Sequence, residues 1–109
     1  MSAIWRIRDR TTFADLRERG QRVRRGPVSV TFLADVSPGP PRIGFAVGRR
    51  VGGAVERNRL RRRLRAIAAE MAPQLQPGAY LIGAAPQAAA LSYGDLKAIV
   101  AEALQTVGS

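Results

Sequence analysis

The chain has 109 residues, 46% of them apolar and 24% charged, which suits one folded domain with a real core and excludes two. Its formal charge is +10, carried by 17 arginines and one lysine against eight acids, a balance that raises the local concentration of anionic partners. With no Cys and no His, disulfides, thiolate metal sites and histidine-based catalysis are all excluded.

The charge is uneven. Residues 1–65 hold every arginine and five acids, net +12, whereas residues 66–109 hold Lys97 and three acids, net −2. "MSAIWRIRDR" contains no apolar run resembling a signal peptide, and "AYLIGAAPQAAAL" is too short and too interrupted to span a membrane. A cytoplasmic protein with no membrane association is the default expectation.

In chain order, Thr11 or Thr12 can cap a short helix through about Arg19, with Phe13 and Leu16 on its apolar face and Gly20 as its stop. "PVSVTFLADV" (27–36) alternates Val28, Val30 and Phe32 with Ser29 and Thr31, the pattern of a strand. "SPGPP" (37–41) is a turn, and "RIGFAVG" (42–48) is expected to return as the antiparallel partner of the first strand. A glycine-rich loop leads into a helix that begins at 54–56 and ends near Met71, before Pro73. "GAYLIGA" (78–84) predicts a third strand, of either direction. "SYGDLKAIVAEALQTV" (92–107) predicts a closing helix capped by Ser92, with Leu96, Ile99, Val100, Ala103 and Leu104 inward. The expected fold class is a single-domain α/β, or α+β, two-layer sandwich: a small sheet backed by helices, in the order α-β-β-α-β-α.

The segment "GGAVERNRLRRRLRAI" (52–67) is the most informative. Six arginines lie between Arg57 and Arg65. At 100° per residue, Leu60, Leu64, Ile67 and Met71 form one stripe. Arg57, Asn58, Arg61, Arg62 and Arg65 fall about 60° to 200° away, a contiguous face beside that stripe; Arg59 and Arg63 lie on the other flank. Like charges at i, i+4 destabilise a helix by about 0.2–0.5 kcal/mol per pair, and arginines near its start oppose the helix dipole. Phosphates would relieve both costs. The guanidinium fork matches phosphate oxygens and stacks on unpaired bases, and Asn58 adds a neutral donor and acceptor. The face therefore points to nucleic acid. Scattered carboxylates and the absence of a phosphate-loop signature argue against catalysis by the side chains. Phe13 is the aromatic best placed to stack a base.

"RIGFAVGRRVGGAVERNRLRRRLR" resembles the bacterial ribonuclease P protein subunits, whose signature is a strand, a basic turn, Gly-x-Ala-Val and an Arg-Asn-Arg helix. "TTFADLRERG" and "LSYGDLKAIVAEAL" resemble that family's first and closing helices, so the likeness runs from about Trp5 to Leu104, making 1–109 one RNA-binding domain with short tails. The resemblance implies a ribosomal-protein-like sandwich with a left-handed βαβ crossover. It also implies a ribonucleoprotein in which a catalytic RNA with bound Mg2+ removes the 5′ leader of precursor tRNA. By position, the implied RNA contacts are Arg49, Arg50, Arg57, Asn58, Arg59, Arg61, Arg62 and Arg65, and the implied leader cleft is Phe13, Arg17, Thr31 and Val47. No catalytic residue and no metal ligand is implied in the protein. Arg17 and Thr31 stand where the family has aromatics, so charge would replace stacking there. Gly48 and Ala66 also depart from the pattern, as does "AYLIGAAP". Two competing readings are a ribosomal-type module for structured RNA and a duplex-DNA reader; the latter lacks a recognition motif.

Overall fold

The computed structural model describes residues 5–7, 9–34 and 40–107. Five strands form one sheet: β1 (Trp5–Arg6), β2 (Gln21–Arg25), β3 (Val28–Ala34), β4 (Arg42–Val47) and β5 (Gly78–Ala84). Three helices complete the chain: α1 (Arg10–Arg19), α2 (Ala54–Met71) and α3 (Tyr93–Thr106). The sheet order is β1-β4-β5-β3-β2. Two strands thus join the expected order, which becomes β-α-β-β-β-α-β-α.

The expected hairpin between the segments at 27–36 and 42–48 does not form. β3 pairs antiparallel with β2 through the tight turn at Gly26–Pro27, and β5 lies between β3 and β4. β4 runs parallel to β5, with Ile43 opposite Tyr80 and Phe45 opposite Ile82. The reason is the connection: β4 and β5 are joined by α2, and a parallel pair requires such a crossover. β5 is consequently the most enclosed strand and its first three residues are all buried. Gly78 starts it at φ +151, where a Cβ would lie 2.4 Å from the Leu33 carbonyl oxygen, so neither the backbone angle nor the space admits a side chain.

Alternation along the strands divides the sheet into two faces. Val28, Val30, Phe32, Ile43, Val47, Tyr80 and Ile82 point to one side, where α2 contributes Leu60, Leu64, Ile67, Ala68 and Met71, and α3 contributes Leu96, Val100, Ala103 and Leu104. This is the main core. The other face is covered only in part by α1, through a small cluster of Ile7, Leu16 and Ala79 flanked by Phe13, Leu33 and Leu81. The N-cap of α1 is Asp9, one turn ahead of the expected threonines. Its carboxylate accepts from the Thr12 backbone N–H at 3.0 Å and from the Thr12 hydroxyl. Hydrogen bonding, chiefly from that hydroxyl, holds Asp9 below the usual carboxylate pKa.

Candidate nucleic-acid interface

The first half of the candidate site is the flank of α2 that meets β4. Leu60 and Leu64 fix the rotation of the helix by facing the core, which sets Arg57, Arg61 and Arg65 in a row along the sheet edge. Arg61 donates from Nη2 to the Val47 carbonyl at 3.2 Å and from Nη1 to Asn58 Oδ1 at 3.1 Å. Arg65 lies over the Phe45 ring, its Cζ 5.9 Å from the centroid. Arg57 is half-buried, and its Nε is shut off from solvent with no acceptor among the described residues. A buried donor left so costs about 1–3 kcal/mol. None of the three makes an ion pair with a described carboxylate.

Around this row, Asn58, Arg59 and Arg62 are exposed on α2, and Arg49 and Arg50 are exposed on the short 3-10 turn at Arg49–Val51 that precedes it. The eight arginine and asparagine positions named from the sequence thus all lie on α2 and the turn before it, with Arg59 on the flank it shares with Arg63 and not on the face of Arg57, Asn58, Arg61, Arg62 and Arg65. Arg63 is separate, as expected from its angle on the helix: it turns to the far flank and donates to the Leu91 carbonyl at 3.2 Å. The entry to α2 is glycine-built. Gly52 has φ +153, and Cβ atoms on Gly52 and Gly53 would meet the Glu56 side chain at 3.0 Å. Glu56 folds back over this turn and is the acid in the helix's first turn, where it complements the dipole.

The second half is the open part of the other sheet face. Strand register places Gly44, Ala46, Leu81, Gly83, Ser29 and Thr31 side by side there. Beneath α1 the surface is closed, with Gly44 pressed against the Phe13 ring: a Cβ on Gly44 would meet Phe13 Cε1 at 3.0 Å. Beyond α1, Ala46 is exposed and Gly83 and Ser29 are half-exposed, leaving a shallow floor of small side chains. Thr12, Asp15 and Arg19 face Leu33, Ala34 and Arg42 on one side of α1. Phe13 and Arg17, one turn apart, therefore line the other side, toward the open floor.

Of the four residues expected in the cleft, Phe13, Arg17 and Thr31 lie at this groove and Val47 does not. Val47 is 4% exposed and belongs to the main core, on the opposite sheet face. It shares that face with Ile43 and Phe45 because residues two apart on a strand point the same way; its neighbour Ala46 occupies the groove. What Val47 supplies is its carbonyl, which anchors Arg61. The small floor (Ala46, Gly83, Ser29) was not legible as part of the site from the sequence. Two-residue alternation from Phe45 would have found Ala46, but the floor also required the pairing of β4 with β5. Among the described residues no three acids come together as a metal-ligand cluster, and no helix is long and apolar enough to cross a membrane.

Comparison with known proteins agrees with this architecture. The family model Ribonuclease P matches residues 1–108. The chain is 39% identical over 112 residues to the ribonuclease P protein component of Nocardioides sp., covering all of this chain and 96% of that one. It is 39% identical over 110 residues to that of Thermobifida fusca, covering 94% of this chain and 75% of the relative. In three dimensions it resembles the RNase P protein of Staphylococcus aureus, with a TM-score of 0.86 at 19% identity over 96% of this chain and 98% of that one. It also resembles the RNase P protein of Thermotoga maritima, with a TM-score of 0.84 at 19% identity over 95% and 98%.

Proposed function

The chain belongs to the ribonuclease P protein family, the RNA-binding components of a tRNA-processing ribonuclease, and on that premise we propose how its two surfaces divide the work. The basic surface of α2 and its turn (Arg49, Arg50, Arg57, Asn58, Arg59, Arg61, Arg62, Arg65) binds the catalytic RNA. The groove beside α1 (Phe13, Arg17, Thr31) holds the single-stranded 5′ leader of precursor tRNA. The observation that carries this reading is the Arg57–Arg61–Arg65 row. Arg61 is held by neutral partners, Asn58 and the Val47 carbonyl, and Arg65 lies over the Phe45 ring, and none of the three is neutralised by a described carboxylate.

In this proposal the chemistry of hydrolysis and its Mg2+ belong to the RNA, and among the described residues no three acids come together to hold a cation. The protein positions. Phosphates set against the α2 row fix it on the RNA, and the leader crosses the open floor of Ala46, Gly83 and Ser29, whose small side chains allow close approach of the strand. With Arg17 and Thr31 at the groove, affinity for the leader comes more from its phosphates than from stacking on its bases.

The test is the affinity of the protein–RNA complex for precursor and for mature tRNA. The proposal predicts that adding the protein strengthens precursor binding and leaves mature tRNA almost unchanged. Equal strengthening of both would assign the chain to a general structured-RNA module of ribosomal type.

A further inference from the structure

The most basic strand of the sheet takes no part in either surface described so far. β2 reads Gln-Arg-Val-Arg-Arg, and it is the outer strand beyond β3. Its register with β3 places Arg22 opposite Thr31 and Arg24 opposite Ser29, and Arg25 opposite Val28. Directly opposed residues share a face. Arg22 and Arg24 therefore project on the groove side, in line with the small floor, while Arg25 projects on the helix side and pairs with Glu102 of α3 at 3.1 Å.

The two groove-side arginines are also the ones left without an acid. Both are exposed, neither makes an ion pair with a described residue, and the Arg24 guanidinium donates a 3.4 Å hydrogen bond to the Gly26 carbonyl. They are about 6.8 Å apart along the strand, a spacing at which two side chains can grip neighbouring phosphates of one extended chain. Across the sheet, the path from Ala46 on β4 over Gly83 and Ser29 to Arg24 on β2 spans three strand gaps, about 14 Å. A single strand that enters beside α1 and crosses this floor meets Arg22 and Arg24 only at its far end.

We infer that Arg22 and Arg24 form a distal phosphate clamp for the 5′ leader, so that this protein grips leaders long enough to cross the sheet more tightly than short ones. The inference rests on the assignment of the groove to the leader. The clamp reads backbone charge and not base identity, since no aromatic side chain accompanies these arginines on β2.

The experiment measures binding of precursor tRNAs, with leaders lengthened one nucleotide at a time, to the complex of this protein with its catalytic RNA. Wild type is compared with Arg22→Gln/Arg24→Gln and with Arg25→Gln, which removes a charge from the same strand but the other face. Wild-type affinity should rise with leader length and then level. The double variant should match wild type on short leaders and fall roughly two- to tenfold below it once the leader reaches β2. Its log–log salt slope on long leaders should drop by about 1.4, and Arg25→Gln should follow wild type throughout. Equal weakening at every leader length, or no change at any, overturns the clamp and leaves β2 as a charged strand edge that deters aggregation. If wild type itself shows no gain from a leader, the groove assignment falls and the clamp with it. Unchanged Tm and circular dichroism of the variants establish that folding is not the cause.

Discussion

Asn58 and Arg61 are joined by a 3.1 Å hydrogen bond across one helical turn, and the same guanidinium is tied to the sheet by the Val47 carbonyl. An amide and a carbonyl orient the arginine without cancelling its charge. This separates two roles that a carboxylate partner would have merged. Arg61 contributes charge, and Asn58 contributes direction.

Replacing Arg57, Arg61 and Arg65 together with alanine should lower the log–log salt slope of RNA binding by about two units, since each lost phosphate contact removes roughly 0.7–0.9. Titration across a series of salt concentrations measures it. An unchanged slope would make the row an ordinary solvated helix flank.

Asn58→Ala should behave differently. Losing one oriented hydrogen bond of about 0.5–1.5 kcal/mol should weaken RNA binding roughly two- to tenfold while the salt slope stays near its wild-type value. A slope change as large as that of an arginine variant would show that Asn58 acts through charge placement instead.

Gly44→Ala tests the groove. The added methyl would stand 3.0 Å from Phe13 Cε1 and 3.4 Å from Ile7 Cδ1, so Phe13 must shift outward over the floor. Precursor tRNA should lose several-fold more affinity than mature tRNA, with little change in RNA-subunit binding. Parallel loss on both substrates would separate Phe13 from leader recognition.

Two substitutions probe the core without touching either surface. Leu64 is fully buried in the stripe of α2, and Leu64→Ala should cost about 2–5 kcal/mol in urea unfolding. Gly78→Ala forces a side chain onto a φ of +151 and against the Leu33 carbonyl, so it should cost at least about 1–3 kcal/mol. A neutral result at Gly78 would contradict the close pairing of β3 with β5.

Asp9 gives the account a pH dependence. Its folded pKa is lowered, first by the Thr12 hydroxyl, from a usual value of 3.8, so its stabilisation is present above that value and is lost as pH falls through the lowered one. Asp9→Asn keeps a side-chain cap but removes the ionisation. The Tm of wild type should exceed that of the variant at neutral pH, and the gap should close in acid. A gap independent of pH would remove the carboxylate from the capping of α1.

Much of this architecture was legible from local pattern. The stripe of Leu60, Leu64, Ile67 and Met71 located α2 and, with it, the arginine row, because helix periodicity fixes both faces at once. β5 was legible to the residue at 78–84. β2 was not, since Val23 is its one apolar residue and three arginines conceal the strand pattern. The parallel pairing of β4 with β5 was illegible for a different reason: it joins segments separated by a whole helix, and two neighbouring strands in sequence look like a hairpin until a third is seen to lie between them. Val47 was misplaced by a single residue, which on a strand means the opposite face.

The most direct measurement is cleavage of precursor tRNA at low Mg2+ by the chain's own partner RNA, with and without this protein. The protein alone should cut nothing, the RNA alone should cut slowly, and the two together should release the 5′ leader efficiently, with the gain lost in the Arg57/Arg61/Arg65 alanine variant. Cleavage by the protein alone, or a rate from the RNA that the protein does not change, would contradict the proposed function.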